Sequence, residues 1–382
     1  MQPKKVLVYR NELLPPTETF ILSQANALRR FQPLFAGLRR LRDGLDLTPH
    51  PVLSLTSSEA WGEKATRRAF LRTGRAGKFI GALSEQSPQI IHAHFAVDAC
   101  AVLPIAKKLR VPLVVTLHGY DVSCNEEALK RWPTTRAYLR RKEELWGFSV
   151  LFICVSESVR RRALALGFPE QKLWVHHIGI DLRGPGKKMD QHRDLKIVLF
   201  AGRLVEKKGC IHLIRAMGRV LKAVPGARLV IAGDGPLRKT LEDEAASRCG
   251  NVVFLGQQPN AAVRQWMQRS LVLVAPSVQA RDGDCEGLPT VLCEAQAEGL
   301  PVIAFATEGV PEALPPDRRE SLPKAGDIAA LADEIIRLMK DDRMWQQVSD
   351  AGRRHVEAHF DLAAQTKLLE DKYEEVTAWV HA

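Results

Sequence analysis

Two glutamates, Glu286 and Glu294, stand eight positions apart in the segment EGLPTVLCEAQAEG (286–299). Pro289 suits the first turn of a helix, and a carboxylate at a helix start complements the helix dipole, so Glu286 alone fits a cap. We predict Glu294 about seven residues into this helix, among apolar neighbours that indicate burial. A buried carboxylate needs a partner, so Glu294 is the stronger sign of a binding site.

A second group of candidates lies in GRLVEKKG (202–209), which overlaps the end of the predicted strand KIVLFAGRL (196–204). Arg203 and Lys208 are expected at the carboxyl end of this strand, where a new helix starts. A guanidinium, an ammonium and free helix N–H groups form a cradle for phosphate or diphosphate, although a solvated basic turn is the alternative. Together with two carboxylates, the cradle predicts a ligand that also carries hydroxyl-rich groups, a ribose and a sugar.

Three other patterns are given less specific interpretations. The turn Asp282-Gly-Asp284 imitates a divalent-metal site, but ordinary loop chemistry is the favoured interpretation. His92 and His94 alternate on one strand face and are too few for a zinc site, so we predict an interior or cleft-lining role. The segment 233–235 (GDG) lacks the third glycine of a dinucleotide fingerprint, which argues against a dehydrogenase.

The elements that must position these residues alternate in type along both halves of the chain. Short, wholly apolar runs are typical of parallel strands covered on both faces, and amphipathic helical stretches separate them. Besides 196–204, the predicted strands are 5–10, 90–95, 112–119, 150–156, 227–235, 251–256, 271–277 and 301–306, and the clearest predicted helices are 209–224, 236–248 and 259–270. The pattern predicts two doubly wound α/β domains in tandem, in which ligands bind beyond the carboxyl ends of the strands.

The Gly- and Pro-rich segment RGPGKKMDQHRD (183–194) is the expected hinge between the two domains. We place an N-terminal domain at 1–188 and a C-terminal domain at 189–363. The last helix, about 364–382, is expected to pack back on the first domain.

The bulk composition limits the class of protein. The 382 residues are 46% hydrophobic and 26% charged, as in a globular chain, with no run of about 18 uncharged apolar residues. The N-terminal segment has no signal-peptide h-region. The seven cysteines stand singly, which favours a reducing compartment over a disulfide framework. We therefore expect a cytoplasmic protein.

The net charge of +11 is concentrated in the first half. Residues 1–190 carry 30 Lys and Arg against 17 Asp and Glu, whereas residues 191–382 carry 25 against 27. The basic segments 61–83 and 128–146 also carry Trp, Phe and Tyr residues, which suits an anionic membrane surface, with solvated basic helix faces as the alternative. We expect no nucleic acid as a partner, because it would leave the anion cradle unused.

Taken together, the motifs of the chain resemble those of the retaining glycosyltransferases of family 4, also called group 1, which have the GT-B fold. The motifs that carry the resemblance are GRLVEKKG (202–209), APS (275–277), the two glutamates with their CEAQAEGLPV context, EGVPE (308–312), HAHF (92–95), TLHGYD (116–121), CVSESV (154–159) and IGID (178–181). They are most similar to the bacterial exopolysaccharide and colanic-acid branch. The resemblance covers essentially the whole chain and implies two Rossmann-like domains facing across a cleft.

The resemblance also implies a role for individual residues. Arg203 and Lys208 would bind the donor diphosphate and stabilise the leaving nucleotide, and Glu294 would accept hydrogen bonds from the ribose. Glu286 would bind a hydroxyl of the transferred sugar, and His118 would contact that sugar from the first domain. The other residues implied at the donor site are Gly256, Gln258, Gly287, Leu288, Pro289, Thr290 and Thr19.

One segment departs from the family pattern. Many relatives carry a Gly-Gly loop after the first strand, whereas residues 11–28 of this chain contain no glycine. The turn at Thr17, Glu18 and Thr19 is a good helix cap and would have to supply the missing backbone amides.

The implied activity is transfer of a hexose from a nucleoside-diphosphate sugar, with retention and without a metal or other cofactor. We expect UDP-hexose, with GDP-mannose next. The expected acceptor is a saccharide or a polyprenyl-diphosphate-linked glycan in exopolysaccharide or surface-glycan synthesis. The enzyme is expected to be peripheral on the inner face of the plasma membrane. The alternatives are a nucleotide-sugar epimerase of the same fold and a non-catalytic protein that binds nucleotide sugars or polyanions.

Overall fold

A computed structural model describes residues 4–57, 60–182 and 196–381. The chain divides into two compact units. Unit 1 comprises Met1–Gly179 and Leu362–Ala382, and unit 2 comprises Ile180–Asp361. The hinge predicted at 183–194 lies outside the described residues.

The described strands are mostly short, and most of their residues are buried. They are β1 Lys4–Tyr9, β2 Glu12–Leu13, β3 Phe31–Arg40, β4 Val52–Thr56, β5 Ile90–His94, β6 Leu113–Leu117, β7 Leu151–Cys154, β8 Leu173–Val175, β9 Ile197–Ala201, β10 Arg228–Ala232, β11 Val252–Gly256, β12 Val272–Ala275 and β13 Val302–Ala304.

The described helices lie singly or in groups between the strands and after the last one. They are α1 Thr19–Ala27, α2 Trp61–Thr73, α3 Gly77–Glu85, α4 Ala96–Leu109, α5 Tyr120–Ser123, α6 Glu126–Leu129, α7 Pro133–Phe148, α8 Glu157–Ala165, α9 Cys210–Ala223, α10 Arg238–Arg248, α11 Asn260–Arg269, α12 Thr290–Ala297, α13 Pro316–Arg319, α14 Ile328–Lys340, α15 Asp342–His359 and α16 Leu362–His381. Among these helices, none is both long and apolar enough to cross a bilayer.

The sheet of unit 1 is parallel throughout its described strands. Its order is β2–β3–β1–β5–β6–β7–β8, and β4 also pairs with β3. The strand order reverses between β1 and β5, so their carboxyl ends diverge into loops on opposite sides. In doubly wound sheets the ligand crevice opens at such a switch point.

The last helix, α16, belongs to unit 1 although unit 2 precedes it in the chain. Leu369, Tyr373 and Val376 are buried in the unit 1 core beside Phe31 of β3. The carboxylate of Glu370 accepts hydrogen bonds from the backbone N–H groups that lead into β3, at 2.6 to 3.1 Å. These contacts fix α16 on the sheet of unit 1.

Unit 2 contains a five-stranded parallel sheet in the order β11–β10–β9–β12–β13 within its described residues. Helices α9 and α14 pack on one face around Leu213, Met217 and Ile335. The order reverses between β9 and β12, which places the switch point at the loops that follow these two strands.

Every strand that the sequence predicts for unit 2 is present, and so are the three predicted helices. In unit 1, the sequence analysis missed β2, β3, β4 and β8. Strand β3 carries Pro33 and Gly37, residues that normally weaken a strand. A Cβ on residue 37 would lie 2.2 Å from the Arg10 carbonyl oxygen. Gly37 is therefore needed in β3 because it lets the two backbone segments approach closely.

Candidate functional site

The two loops at the switch point of unit 2 are locked together. Gly209 has φ of +62° and a Cβ on it would lie 1.9 Å from the carbonyl oxygen of Pro276, so only glycine fits. In addition, the N–H of Val278 donates to the carbonyl of Lys207 at 2.8 Å. The loop after β9, which carries the anion cradle, therefore lies against the loop after β12, which leads to Glu286.

Lys208 and Glu286 meet where these loops join. The Lys208 Nζ lies 2.7 Å from Glu286 Oε1, and the Ser277 hydroxyl donates to the same oxygen at 3.0 Å. The Glu286 carboxylate is buried, which by itself raises its pKa, but the Lys208 and Lys207 ammonium groups outweigh burial and the net pKa is lowered. Glu286 is thus ionised at neutral pH and holds Lys208 in place.

Arg203, the other cation of the cradle, is solvent-exposed. It forms no ion pair or hydrogen bond with any other residue that the structure describes. Besides Lys207, the loop therefore carries one cation fixed by a buried carboxylate and one whose five donors are all available, as a bidentate phosphate ligand requires.

In the turn with Asp282 and Asp284, one carboxylate forms an ion pair with a lysine of the loop after β9. Lys207 Nζ lies 2.9 Å from Asp284 Oδ2, and Asp282 Oδ1 accepts from the Asp284 N–H at 3.1 Å. Over the described residues, no group of three or more His, Cys, Asp or Glu side chains is arranged to hold a metal ion. Both carboxylates thus have roles within the loop.

Glu286 is not a helix cap. Helix α12 begins at Thr290, its N-cap is Pro289, and no side chain caps it. Glu286 lies in the loop before the helix, followed by the buried Gly287 and Leu288. The capping interpretation is therefore wrong, and the buried ion pair with Lys208 takes its place.

The prediction for Glu294 needs two corrections. Glu294 is the fifth residue of α12, not about the seventh, because the helix begins only after Pro289. It is half-buried rather than buried, and its carboxylate has no hydrogen bond or ion pair to the described residues. Burial raises the pKa of Glu294, against the lowering effect of the Arg264 and Lys208 charges. An unpaired acceptor of this kind is costly unless a ligand supplies donors.

Gly256 and Gln258 lie at the end of β11, two strands away from β9. Gly256 has φ of +71°, and the Gln258 side-chain amide donates to the Leu255 carbonyl at 2.8 Å. Neither residue is hydrogen-bonded to Lys208 or Glu286. The neighbouring Gly233 permits a close approach, since a Cβ there would lie 1.9 Å from the carbonyl oxygen of Gly202. This glycine brings the loop after β10 against the cradle, so the GDG segment serves packing.

In unit 1, His118 follows β6 at the carboxyl edge of the sheet. Its Nε2 and the Nδ1 of His94 are 3.0 Å apart, and its ring contacts those of Phe20 and Phe95 at centroid distances of 5.1 and 4.6 Å. Burial and the Arg10 charge hold the pKa of His118 well below its usual value. The ring is neutral at pH 7, with one nitrogen engaged by His94.

His92 and His94 occupy one face of β5, and the prediction of an interior role is confirmed. Their rings stack at a centroid distance of 4.4 Å. His92 is hydrogen-bonded to the Tyr373 hydroxyl at 2.5 Å and to the Thr116 hydroxyl at 2.6 Å. Both histidines are thus buried supports beneath His118.

A charged cluster at the switch point of unit 1 was missed by the sequence analysis. The Arg10 guanidinium, directly after β1, forms ion pairs with Glu18 and Asp98 and lies 4.3 Å from the centre of the Phe95 ring. The side chain of Asn11 donates to Asp98 at 2.6 Å. The signal that could have indicated it is an arginine directly after the buried end of β1.

Thr19 is the first residue of α1, but the expected cap is absent. The N-cap is Glu18, which makes no capping hydrogen bond, because both of its carboxylate oxygens accept from Arg10 at 2.6 and 2.9 Å. Glu18 therefore ties α1 to the end of β1 instead of satisfying the helix N-terminus. The role of Thr19 at the donor diphosphate stays a prediction.

Comparison with known proteins identifies the family. The profile described as "Glycosyl transferases group 1" matches residues 187–355, and that described as "Glycosyltransferase Family 4" matches residues 18–183. The teichuronic acid biosynthesis glycosyltransferase TuaC of Bacillus subtilis, itself described as putative, is 32% identical over 303 residues, which is 76% of this chain and 71% of TuaC. The amylovoran biosynthesis glycosyltransferase AmsK of Erwinia amylovora is 30% identical over 282 residues, or 71% of this chain and 66% of AmsK.

The fold has a counterpart among solved structures. HepE of Anabaena, crystallised with UDP and glucose, aligns with a TM-score of 0.75 over 97% of this chain and 99% of its own, at 18% sequence identity. This likeness shows a shared GT-B fold of two α/β domains with parallel sheets. With the profile matches and the similarity to TuaC, it establishes that the chain is a glycosyltransferase and belongs to the group 1 glycosyltransferases, with a family 4 region in its first half.

Proposed function

We propose that this glycosyltransferase moves a hexose from a nucleoside-diphosphate sugar to a saccharide acceptor with retention of configuration and without a metal. The observation that carries the proposal is the buried Lys208–Glu286 ion pair at the switch point of unit 2, beside the unpaired Arg203. A fixed ammonium and a free guanidinium at the carboxyl end of β9 suit a diphosphate.

The donor class is supported by the structural neighbour. HepE was crystallised with UDP and glucose and, separately, with UDP-glucose. We therefore favour UDP-hexose, with GDP-mannose as the next candidate. A relative from Corynebacterium glutamicum, 34% identical over 175 residues, is described as a GDP-mannose-dependent mannosyltransferase and keeps that second candidate open.

We propose that Arg203 and Lys208 stabilise the negative charge that develops on the departing diphosphate. Fixed charges aimed at a leaving group stabilise the transition state without reorganisation, the largest single contribution in many enzymes. Glu286 keeps Lys208 oriented and accepts a hydrogen bond from the transferred sugar. Glu294, whose carboxylate is unpaired, accepts from the ribose hydroxyls.

We extend the proposal to His118 as a contact of the transferred sugar. A positively charged histidine would oppose the cationic character that the sugar acquires as its bond to the diphosphate breaks. The lowered pKa of His118, caused by burial and the Arg10 charge, keeps the ring neutral. With its Nε2 engaged by His94, the Nδ1 is the nitrogen that remains for a hydroxyl.

We propose metal independence because the carboxylates of the Asp282–Asp284 turn are already used. Lys207 neutralises Asp284, and Asp282 accepts from the backbone of the same turn. The charge of the diphosphate is then met by Arg203 and Lys208, which supply what a divalent ion supplies in other transferases.

We propose that the acceptor is lipid-linked and that the reaction belongs to exopolysaccharide or surface-glycan synthesis on the inner face of the plasma membrane. The names of TuaC and AmsK, enzymes of teichuronic acid and amylovoran biosynthesis, support this class of product. The basic first half of the chain supports an anionic membrane as partner.

The proposal is tested by incubating the purified protein with UDP- and GDP-hexoses and measuring release of the nucleoside diphosphate, with and without EDTA. We expect slow donor hydrolysis that survives EDTA and falls about 10²- to 10³-fold in Lys208→Ala and Glu286→Gln. Arg281→Ala, an exposed cation of the neighbouring loop, is the matched control and should be unaffected. Loss of activity in EDTA would refute the metal-free mechanism, and an epimerised donor formed without acceptor would indicate an epimerase instead.

A further inference from the structure

A cationic concave surface of unit 1 lies away from the carboxyl edge of its sheet. It is a groove of about 540 Å³, here called the α2–α4–α7 groove, whose lining residues are Arg72, Thr73, Gly74, Pro104, Lys107, Lys108, Arg141 and Glu144. Lys107 follows Ala96, the first residue of α4, by 11 positions, so the groove lies about 16 Å along α4 from the edge that carries His118. It is thus separate from the residues of the proposed reaction.

The groove is formed by a specific helix contact. Gly74 ends α2 in the left-handed region with φ of +67°, and a Cβ there would lie 2.7 Å from the Pro104 side chain of α4. A glycine is required for the end of α2 to approach α4 this closely. The cations of the two helices are held near each other for that reason.

The groove is cationic and not neutralised from within. Its single carboxylate, Glu144, is shared by Lys107 at 2.7 Å and Arg141 at 3.0 Å. Arg72 and Lys108 are exposed and have no ion-pair partner in the described part of the chain. Four cations and one carboxylate leave a net charge of +3 facing solvent.

Helix α2 extends this cationic surface with an aromatic residue at its far end. At 100° per residue, Trp61, Arg68 and Arg72 fall on one face of the helix. All three are exposed, and Trp61 has 84% of its surface in solvent. The 11 residues between Trp61 and Arg72 span about 16 Å, longer than a small anion.

We propose that the α2–α4–α7 groove binds the phosphate groups of an acidic phospholipid bilayer, with the Trp61 face of α2 lying on the membrane. Each Lys or Arg near an anionic leaflet is attracted by the charge of its phosphates, and tryptophan prefers the membrane–water interface. A soluble phosphate compound would use the groove but leave the exposed Trp61 without a role. The inference deepens the membrane partner of the proposed function and rests on it for its purpose.

The test is flotation of the full-length protein with vesicles of phosphatidylglycerol in phosphatidylcholine, and of phosphatidylcholine alone, at about 0.1 M salt. We expect binding only to the anionic vesicles, weakened about tenfold or more in Arg72→Glu/Lys108→Glu. Trp61→Ala should also weaken it. The matched control is Arg228→Glu/Lys340→Glu, which makes the same charge change at two exposed, unpaired positions of unit 2.

Three outcomes would overturn the inference. These are equal or no binding of the wild-type protein to the two kinds of vesicle, equal weakening by the groove and control variants, and stabilisation by inorganic phosphate alone without vesicle binding. Donor hydrolysis is measured in parallel and should be unchanged in the groove variant. Donor hydrolysis without vesicle binding would refute membrane binding by the groove and leave the proposed transferase reaction standing. Vesicle binding without donor hydrolysis would refute the proposed reaction and leave membrane binding standing.

Discussion

At the residue scale, the candidate donor site contains one satisfied carboxylate and one unsatisfied one. Glu286 is buried, yet Lys208 and Ser277 hydrogen-bond it and lower its pKa. Glu294 is half-buried, carries a raised pKa and has no partner among the described residues. The first carboxylate holds Lys208 in place, whereas the second is the one that we propose as a hydrogen-bond acceptor for a ligand.

This difference predicts opposite effects of Glu294→Gln on stability and binding. Removing an unpaired, partly desolvated charge should raise the unfolding midpoint of the free protein at pH 7, because the raised pKa means that the fold disfavours the ionised form. Nucleotide affinity should fall about tenfold, since an amide is a weaker acceptor for ribose hydroxyls. Thermal unfolding with and without UDP and GDP measures both.

The matched variant is Glu286→Gln, which breaks an ion pair and should lower stability. Its folded pKa is depressed below 4.5, so its stabilising contribution is present at neutral pH and is lost as the pH falls below about that value. A drop in the unfolding midpoint for Glu294→Gln as large as that for Glu286→Gln would contradict the assignment of Glu294 as a ligand group.

At the scale of elements, the site depends on close packing between the loop after β9 and the loop after β12. Gly209 is the N-cap residue of α9 and lies against the Pro276 carbonyl that follows β12. Because β9 and β12 are neighbours at the switch point, this contact sets where Lys208 and Glu286 meet. The glycine is thus as important to the site as the charged residues.

Gly209→Ala should therefore lower stability by more than its backbone conformation alone requires. Gly226→Ala is the control, since Gly226 also has a positive φ, of +86°, but a Cβ there would meet nothing within 4 Å. We expect about 1 kcal/mol of destabilisation for the control and a further 1 to 3 kcal/mol, with loss of donor binding, for Gly209→Ala. Urea denaturation compares the two variants; equal losses would show that the Pro276 contact is unimportant.

The elements of unit 2 were predictable because each strand is a short apolar run between turn residues, and Arg203, Lys208 and Glu286 follow such runs. The pairing of Lys208 with Glu286 was not predictable, because it depends on the close packing of Gly209 on Pro276. Strand β3 was missed because Pro33 and Gly37 hide its pattern.

In unit 1 the error concerned side-chain partners. The segment before α1 looks like a capping turn, but the Glu18 side chain pairs with Arg10, a residue of the preceding strand end. Local propensity favours a cap, and a tertiary ion pair overrides it. The Arg10 cluster was missed for the same reason. Arg10 pairs with Asp98, which lies 88 positions later in the sequence, and no local pattern joins the two residues.

At the scale of the whole molecule, the two units should respond differently to acid. In unit 1, burial lowers the pKa of His92 and of His176 to about 3 and holds those of His94 and His118 well below their usual value. The unfolded chain takes up protons on these four groups near pH 6.5. Asp98 and Asp121, whose pKa values burial raises to about 6, take up two in the folded unit and offset part of the effect.

The net uptake of about two protons by the unfolded chain predicts a loss of stability of about 2.7 kcal/mol per pH unit as the pH falls from about 6.5 to 5. Measuring the unfolding midpoint from pH 7.5 to 5 tests this, and His92→Gln should flatten the slope. A midpoint that is constant over this range, or a slope unchanged in the variant, would contradict the neutral buried histidines.

The two units should also differ in whether they can be separated from the chain. Residues 180–361 are contiguous and should fold alone and bind UDP or GDP, as judged by calorimetry. Residues 1–179 should unfold at a markedly lower temperature than the same unit in the whole chain, because they lack Tyr373 and Leu369 of α16. Adding a peptide of residues 362–382 should restore part of that stability; cooperative folding of 1–179 without it would show that α16 is dispensable.

The return of α16 to unit 1 also bears on the order in which the protein is completed during synthesis. After Gly179 leaves the ribosome, the 182 residues of unit 2 must be made before Leu362 appears. At about 5 to 20 residues per second this delay lasts roughly 10 to 40 s, during which the sheet face that receives Tyr373 is uncovered. Unit 1 is therefore translated first but completes its fold last, after α16 has been made. Until then, its uncovered sheet face is where a chaperone would act.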